Sequence, residues 1–200
     1  MDEFLKSIEK KIVKLSFKQQ ILFGVLSCEK LLPNYRQFSS AVNWGNIEIL
    51  EEAIVMIYQY LQDIELNEGE LDSIYEKIIE ITPNVENFEG DLAAYALDTC
   101  SAVADAVEFL LSEDQSYVLN IASIVRDTID MFIQESEELD IADENADQKI
   151  VQHEYMKRET KRQHEILRRL LGAEIDLPFI SAMRDLNNSY GPIIELSLVS

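Results

Sequence analysis

Two hundred residues of 23.0 kDa, 47% hydrophobic and 28% charged, set 17 Lys and Arg against 38 Asp and Glu for a formal net charge of −21. Such a balance argues against a bare phosphate-backbone binder, which needs local positive charge to displace counterions. Six Gly and four Pro leave little room for a linker or a disordered arm, so a single helical domain over 1–200 is expected.

Apolar residues recur with a period of about 3.6 almost throughout, which predicts an all-α fold. Phe4, Ile8, Ile12 and Leu15 give a first helix with one apolar face. Ser16 with Gln19 spells a capping box, and Phe17, Ile21, Leu22, Val25, Cys28 and Leu32 carry a second helix to Pro33. Pro33 then opens a short helix bearing Tyr35 and Phe38. Asn46 caps a helix through Ile47, Leu50, Ile54, Ile57, Tyr58 and Leu61, and Asn67 with Glu70 caps another through Leu71, Ile74 and Ile78.

From Asp91 to Leu111 the chain is small and apolar on most sides, as expected of a central helix covered on two faces. Ser112 with Gln115 starts the next helix, which fades into the run from Glu135 to Asp147, with seven acids and no base. Asn145 with Gln148 opens a long, mostly polar helix that reads as solvent-facing or projecting. Asp176 caps a last helix through Ile180, Met183 and Leu186, after which the apolar tail Ile193 to Val199 is expected to lie extended along the bundle. The sum is a bundle of about seven to eight helices with a short extended C-terminal tail.

The start Met1-Asp2-Glu3-Phe4 lacks the basic and apolar regions of a signal peptide, and no uncharged apolar run approaches the ~18 residues of a bilayer span. A cytoplasmic protein is therefore expected, without membrane association. In that compartment Cys28 and Cys100 read as buried apolar groups, with no disulfide required.

Three motifs stand in order along the chain: Cys28-Glu29 followed by Pro33-Asn34-Tyr35 and Phe38, Ala96-Leu97-Asp98-Thr99-Cys100-Ser101-Ala102, and Asp176 with Arg184 eight residues later. In this order the chain resembles the YjaG-like family of bacterial proteins, a domain of unknown function, over nearly its whole length. The resemblance implies an all-helical cytoplasmic domain and lends no activity. The basic stretch before Leu170 and the Pro-containing tail depart from the family pattern, so partner surfaces there are this chain's own.

Catalytic and metal signatures are thin. A di-iron bundle needs Glu-x-x-His on two helices, but Ile150 stands three residues before His153 and Lys161 three before His164. The two histidines lie about 16 Å apart along one helix, too far to share an ion. Helical nucleotide pyrophosphohydrolases pair Glu-x-x-Glu with Glu-x-x-Asp to hold magnesium. Glu48-x-x-Glu51 supplies half, and Glu144-x-x-Asp147 has the spelling but lies in the acidic connection. No cofactor or metal is expected.

The candidate binding residues are Asp98, Tyr35, Arg184 and Trp44. Asp98 belongs to a narrow polar stripe with Asp91, Ser101, Asp105 and Glu108 on an apolar helix, so it reaches water or finds a partner. The plain reading is a solvated edge, and the sharper one pairs it with Arg184 or Tyr35 at a cleft. Trp44, the only tryptophan, is an interface anchor or, as is more usual for Trp, a lid on the core. From Lys149 to Arg169 seven bases meet three acids. This reads as an exposed helix laced by i,i+4 pairs (Glu154 to Arg158, Lys161 to Glu165, Glu165 to Arg169), or as a basic docking face with Tyr155 available to stack.

The expected function is a non-enzymatic protein-binding or regulatory module whose negative field speeds association with a basic partner, for example by neutralising a nuclease toxin. A second copy of the chain is the other candidate partner, and nucleic acid is disfavoured. The competing expectation is a small-ligand binder or metal-dependent nucleotide hydrolase with a cleft beside Asp98.

Overall fold

The structure, a computed structural model, describes residues 3–139, 142 and 145–196. Among the described residues there are nine α-helices and no strand: α1 Glu3–Ile12, α2 Phe17–Val42, α3 Ile47–Leu61, α4 Glu68–Glu80, α5 Leu92–Ser112, α6 Gln115–Ser136, α7 Ala146–Gln152, α8 Glu154–Leu170 and α9 Leu177–Ser189. A 3-10 turn, Val85–Asn87, lies between α4 and α5. None of these helices is long and apolar enough to cross a membrane.

Local caps set most starts. Asn46 Oδ1 accepts the Glu48 N–H at 3.0 Å, Asn67 and Glu70 bond reciprocally at 2.9 and 3.3 Å, and Asp176 accepts the Phe179 N–H at 2.8 Å. Before α6 the cap is Asp114, which accepts the Ser116 N–H, whereas Ser112 ends α5.

Two boundaries differ from the pattern. α2 runs straight through Pro33, which lies on an exposed face while Leu31, Asn34 and Tyr35 beside it are buried. Burial of α2 on nearly every side between Gln19 and Cys28 offsets the lost hydrogen bond. The helix expected from Asn145 instead breaks at His153, whose backbone is extended and whose Nδ1 accepts the Tyr155 N–H at 3.4 Å as the cap of α8. These two differences offset each other in number, and among the described residues the count is nine α-helices rather than seven or eight.

α2 and α5 form the centre and pack most extensively on each other. Small side chains on α5 let the backbones approach: the Cys28 thiol donates to the Ala102 carbonyl at 3.2 Å and Thr99 Oγ1 to that of Leu31 at 3.1 Å. Both cysteines are free and buried, and burial pushes the Cys100 thiol up to about 12. α3 and α4 cover one flank of this centre, while α1 packs on α6 and α8.

The polar helix α8 does not project. Its inner face buries Glu159, Arg162 and Gln163 together with Met156, Ile166, Leu167 and Leu170. Arg162 is 1% exposed. Its Nε and Nη2 donate to the two Glu159 oxygens at 2.7 and 2.6 Å, Nη1 donates to Asn187 Oδ1 at 2.8 Å, and Nη2 reaches Ser27 Oγ at 3.3 Å. Asn187 Nδ2 donates in turn to the Leu26 carbonyl at 2.8 Å, and Gln163 Nε2 donates to Glu159 and to the Ala122 carbonyl. One ion pair thus ties α8 to α2, α6 and α9.

Beside it the chain just after α9 is held down. Lys30 Nζ donates to the Gly191 carbonyl, and Arg158 donates to those of Pro192 and Ile193 at 2.6 and 3.2 Å. Ile193, Ile194 and Leu196 are buried and Glu195 is exposed; residues 197–200, which hold the end of the expected extended tail, lie outside the described residues. Burial, and the nearby Arg162 next, pull the Lys30 amine down to about 8.

Removing one member of a buried ion pair strands the other, at about 3–5 kcal/mol. Glu159→Gln is therefore expected to lower the unfolding free energy by about that amount in urea titrations. Glu159→Leu combined with Arg162→Met should lose far less, and equal losses in the two variants would contradict the stranded-charge account.

Candidate binding sites

The four residues singled out in the sequence do not converge. Tyr35 is fully buried; its hydroxyl donates to the Ile81 carbonyl at 2.9 Å and accepts the Asn46 N–H at 3.3 Å, joining α2 to the chain before α3 and after α4. Burial pushes this phenol up to about 12. Gly45 sits against it with φ +80°, and a Cβ there would lie 2.3 Å from the Tyr35 oxygen. Tyr35 is a structural tie.

Arg184 pairs with Glu29 rather than with Asp98. Its Nη2 donates to Glu29 Oε1 at 2.6 Å, its guanidinium lies 4.6 Å over the Tyr58 ring, and the Tyr58 hydroxyl donates to Glu29 Oε2 at 2.9 Å. This cluster borders a surface groove between α3 and α9. Trp44 is 37% exposed and packs against Phe38 and Phe88, at ring distances of 5.9 and 5.3 Å. It closes the core over Phe38 and shows one edge to solvent.

Asp98 is half-buried against α6, where it accepts the Thr128 hydroxyl at 2.7 Å. Further along the same seam Asn120 Nδ2 donates to Asp105 at 2.6 Å, and the Tyr95 hydroxyl donates to Glu135. Two members of the polar stripe, Asp98 and Asp105, thus bond to α6. Burial raises both Asp98 and Asp105 to about 6. The expected pairing of Asp98 with Arg184 or Tyr35 is absent because each acid and base found a nearer partner, and Asp98 lines none of the grooves or cavities described here.

Of the magnesium spelling, Glu51 is paired with Arg36 at 2.6 Å, and Glu144 lies outside the described residues. Among the described residues no three His, Cys, Asp or Glu side chains gather as metal ligands would.

Charge is segregated. Between Arg36 and Arg126 stand eighteen acids and a single base, Lys77, which faces Glu52 at 3.8 Å. Glu68, Asp72, Glu76 and Glu80 repeat at i,i+4 along the exposed edge of α4.

The basic groups collect on the opposite flank. There a cavity of about 760 Å³ opens between α1, α8 and the end of α9, with Lys11, Lys14, Lys161 and Arg168 around Leu167, Leu171, Leu186 and Tyr190. His164 stands in its wall, stacked on Phe4 at 5.7 Å and sharing a 3.4 Å hydrogen bond with Ser7. Burial, then Lys11, hold this imidazole below its usual range.

Of the three expected pairs along α8, Glu165 with Arg169 is present at 2.8 Å, and Arg168 joins the same carboxylate at 2.7 Å. Arg158 instead stacks 4.6 Å over Tyr155 and holds the tail. Sequence reading saw the bases of α8 but not those of α1, because the two helices meet across some 150 residues of chain.

Fold and contacts together define an all-α protein with one core, held by polar ties between helices and carrying its charge in two fields. Within that class the chain belongs to the family described as "Protein of unknown function (DUF416)", which matches residues 7–192. It is 25% identical over 181 residues to the uncharacterised protein YjaG of Escherichia coli (strain K12), covering 88% of this chain and 89% of that one. An uncharacterised protein of Haemophilus influenzae is 23% identical over 108 residues, 52% of this chain and 54% of its own.

A crystal structure of a DUF416 family protein from Shewanella baltica OS155 has the same fold, with a TM-score of 0.83 at 23% identity over 96% of this chain and 95% of that one. The three family-like motifs meet in space. Cys28 bonds to Ala102, Glu29 to Arg184, and the Cys100 thiol, at 3.9 Å, shares the Ile81 carbonyl with Tyr35.

Asp98 holds its proton more tightly folded than unfolded, so its protonation adds stability below about pH 4 that is lost as pH rises through about 6. Asp98→Asn keeps an acceptor for Thr128 without the charge. The variant should melt no lower than the parent at pH 7.5, with its margin growing between pH 4 and 7; a lower melt at neutral pH would refute the buried-charge account. Gly45→Ala should melt well below the parent, since it meets both a left-handed φ and the Tyr35 hydroxyl. Tyr35→Phe alone also costs stability by leaving the Ile81 carbonyl and Asn46 N–H unpaired, and the two changes combined should lose less than the sum of the single losses.

Proposed function

We propose that this protein is a non-enzymatic binding module whose acidic flank receives a cationic protein. The observation that carries this reading is the ladder Glu68, Asp72, Glu76 and Glu80 on α4. Like charges at i,i+4 destabilise a helix by roughly 0.2–0.5 kcal/mol per pair, and three successive pairs stand here without an intervening base on that edge. A surface chosen only for solubility would mix the two signs, whereas a cationic partner relieves the repulsion on docking. Ile79 beside the ladder, Val55 on neighbouring α3 and Ile64 in the chain after α3 are about half exposed, which adds apolar contact to a surface otherwise steered by charge.

The enzyme reading has less support: Asp98 is engaged with Thr128, and both cysteines are buried with thiols pushed up by burial.

The test uses Asp72→Lys with Glu76→Lys, at exposed positions. The variant should melt about 1–3 °C higher than the parent, because the pairs with Glu68 and Glu80 turn attractive and only the pair between the two changed positions stays like-charged. Against a basic protein co-isolated from the host, its association rate at low salt should fall about tenfold or more, with the parent's own rate falling as salt rises. Unchanged rates, or rates indifferent to salt, would defeat the reading.

A further inference from the structure

On the flank away from the acid ladder, and independently of it, the geometry points to the cavity between α1, α8 and α9 as a binding site for an anionic amphiphile: one phosphate or carboxylate head carrying an alkyl chain. Its volume of about 760 Å³ falls within the several hundred Å³ usual for small-molecule sites. The walls are divided by chemistry. Leu167, Leu171, Leu186 and Tyr190 form an apolar floor, with Leu171 left 56% exposed. Lys11, Lys14, Lys161 and Arg168 stand around it.

These cations are not explained by the fold. Lys11 and Arg168 lie in the last turns of α1 and α8, where helix dipoles favour positive charge. Lys14 lies beyond α1 and Lys161 stands mid-helix, so that account does not reach them. Lys11, Lys14 and Lys161 form no ion pair among the described residues, although the chain carries 38 acids. The one acid in the lining, Glu165, already serves both Arg168 and Arg169. Three like charges therefore converge on an apolar hollow with nothing to balance them, and an anion supplies what is missing. His164 belongs to the same wall, and its Nδ1 is buried without a partner among the described residues.

The apolar floor selects among anions. Inorganic phosphate uses the lysines and leaves the leucines wet. A polyanion such as RNA or a polyglutamate segment also leaves the floor idle, and it meets the repulsion of a chain at −21 with every added charge. A molecule with one charged head and an alkyl chain satisfies both walls.

Decyl phosphate, titrated into the full chain below its micellar concentration, tests this by calorimetry and by NMR of the two histidines. His164 lines the cavity, whereas His153 caps the far end of α8, about 16 Å away. One saturable site is expected, shifting the His164 ring resonances and leaving those of His153 in place. Lys14→Glu with Lys161→Glu, both at exposed positions, should weaken binding at least tenfold without lowering the melting temperature, and Leu171→Asp should weaken it as well.

No saturable binding would overturn the proposal. So would inorganic phosphate binding as tightly, a neutral decyl glycoside binding as tightly, or an affinity untouched by the lysine reversals. Binding only to anionic vesicles would place the same surface at a membrane, and binding only to polyglutamate or RNA would make it a polyanion face; either outcome also overturns the pocket.

Discussion

Arg162 and Glu159 stand out of water with all three guanidinium nitrogens and both carboxylate oxygens engaged, and the desolvation of such a pair costs several kcal/mol per ion before any attraction is counted. The geometry that offsets this comes from four helices at once. Glu159 and Arg162 lie one turn apart on α8, Asn187 reaches in from α9, Ser27 from α2, and Gln163 links the carboxylate to the α6 backbone. None of these helices can shift without stranding a charge. The network fixes orientation as much as it adds stability, because an apolar interface of the same area would tolerate sliding.

The same network positions both charged fields. By locking α8 against α2 and α9, it turns the outer face of α8 toward the end of α1, which brings Lys161 and Arg168 beside Lys11 and Lys14. The acids have no comparable anchor. α4 packs on α3 and α5 through Leu71, Ile74 and Ile78 alone among its buried residues, and its charged edge stays outside. A polar interior on one flank and a plain apolar seam on the other thus correspond to a basic hollow and an acidic ridge.

Local features were legible in the sequence. The caps at Asn46, Asn67 and Asp176 are bonds to N–H groups two or three residues on, so short motifs specify them. The centrality of α5 was legible from its small apolar residues. What could not be read are partners far apart in the chain: Asp98 meets Thr128 thirty residues later, Arg184 meets Glu29 across 155, and Arg162 meets Ser27 across 135. The apolar content of α8 alone suggests a solvent-facing helix, since Glu159, Arg162 and Gln163 take places on its buried face that apolar residues would otherwise fill. Pro33 was overweighted for the converse reason, a local cost being outweighed by burial along α2. The family is legible where the pairings are not, because collinear motifs are local to the chain while each residue's partner is distant.

Trp44 gives the molecule a single indole fluorophore, and its position at the Phe38 and Phe88 rim makes that signal regional. Indole emission reports on the end of the bundle where α2 meets the start of α3, and it is blind to the α8 network. Far-ultraviolet circular dichroism averages all nine described helices. The two signals coincide on denaturation only if the bundle opens as one cooperative unit. Should the α8 flank loosen first, helicity would fall while the tryptophan spectrum stayed native, so this one residue turns an ordinary unfolding curve into a measure of how far the buried ion pair's influence extends.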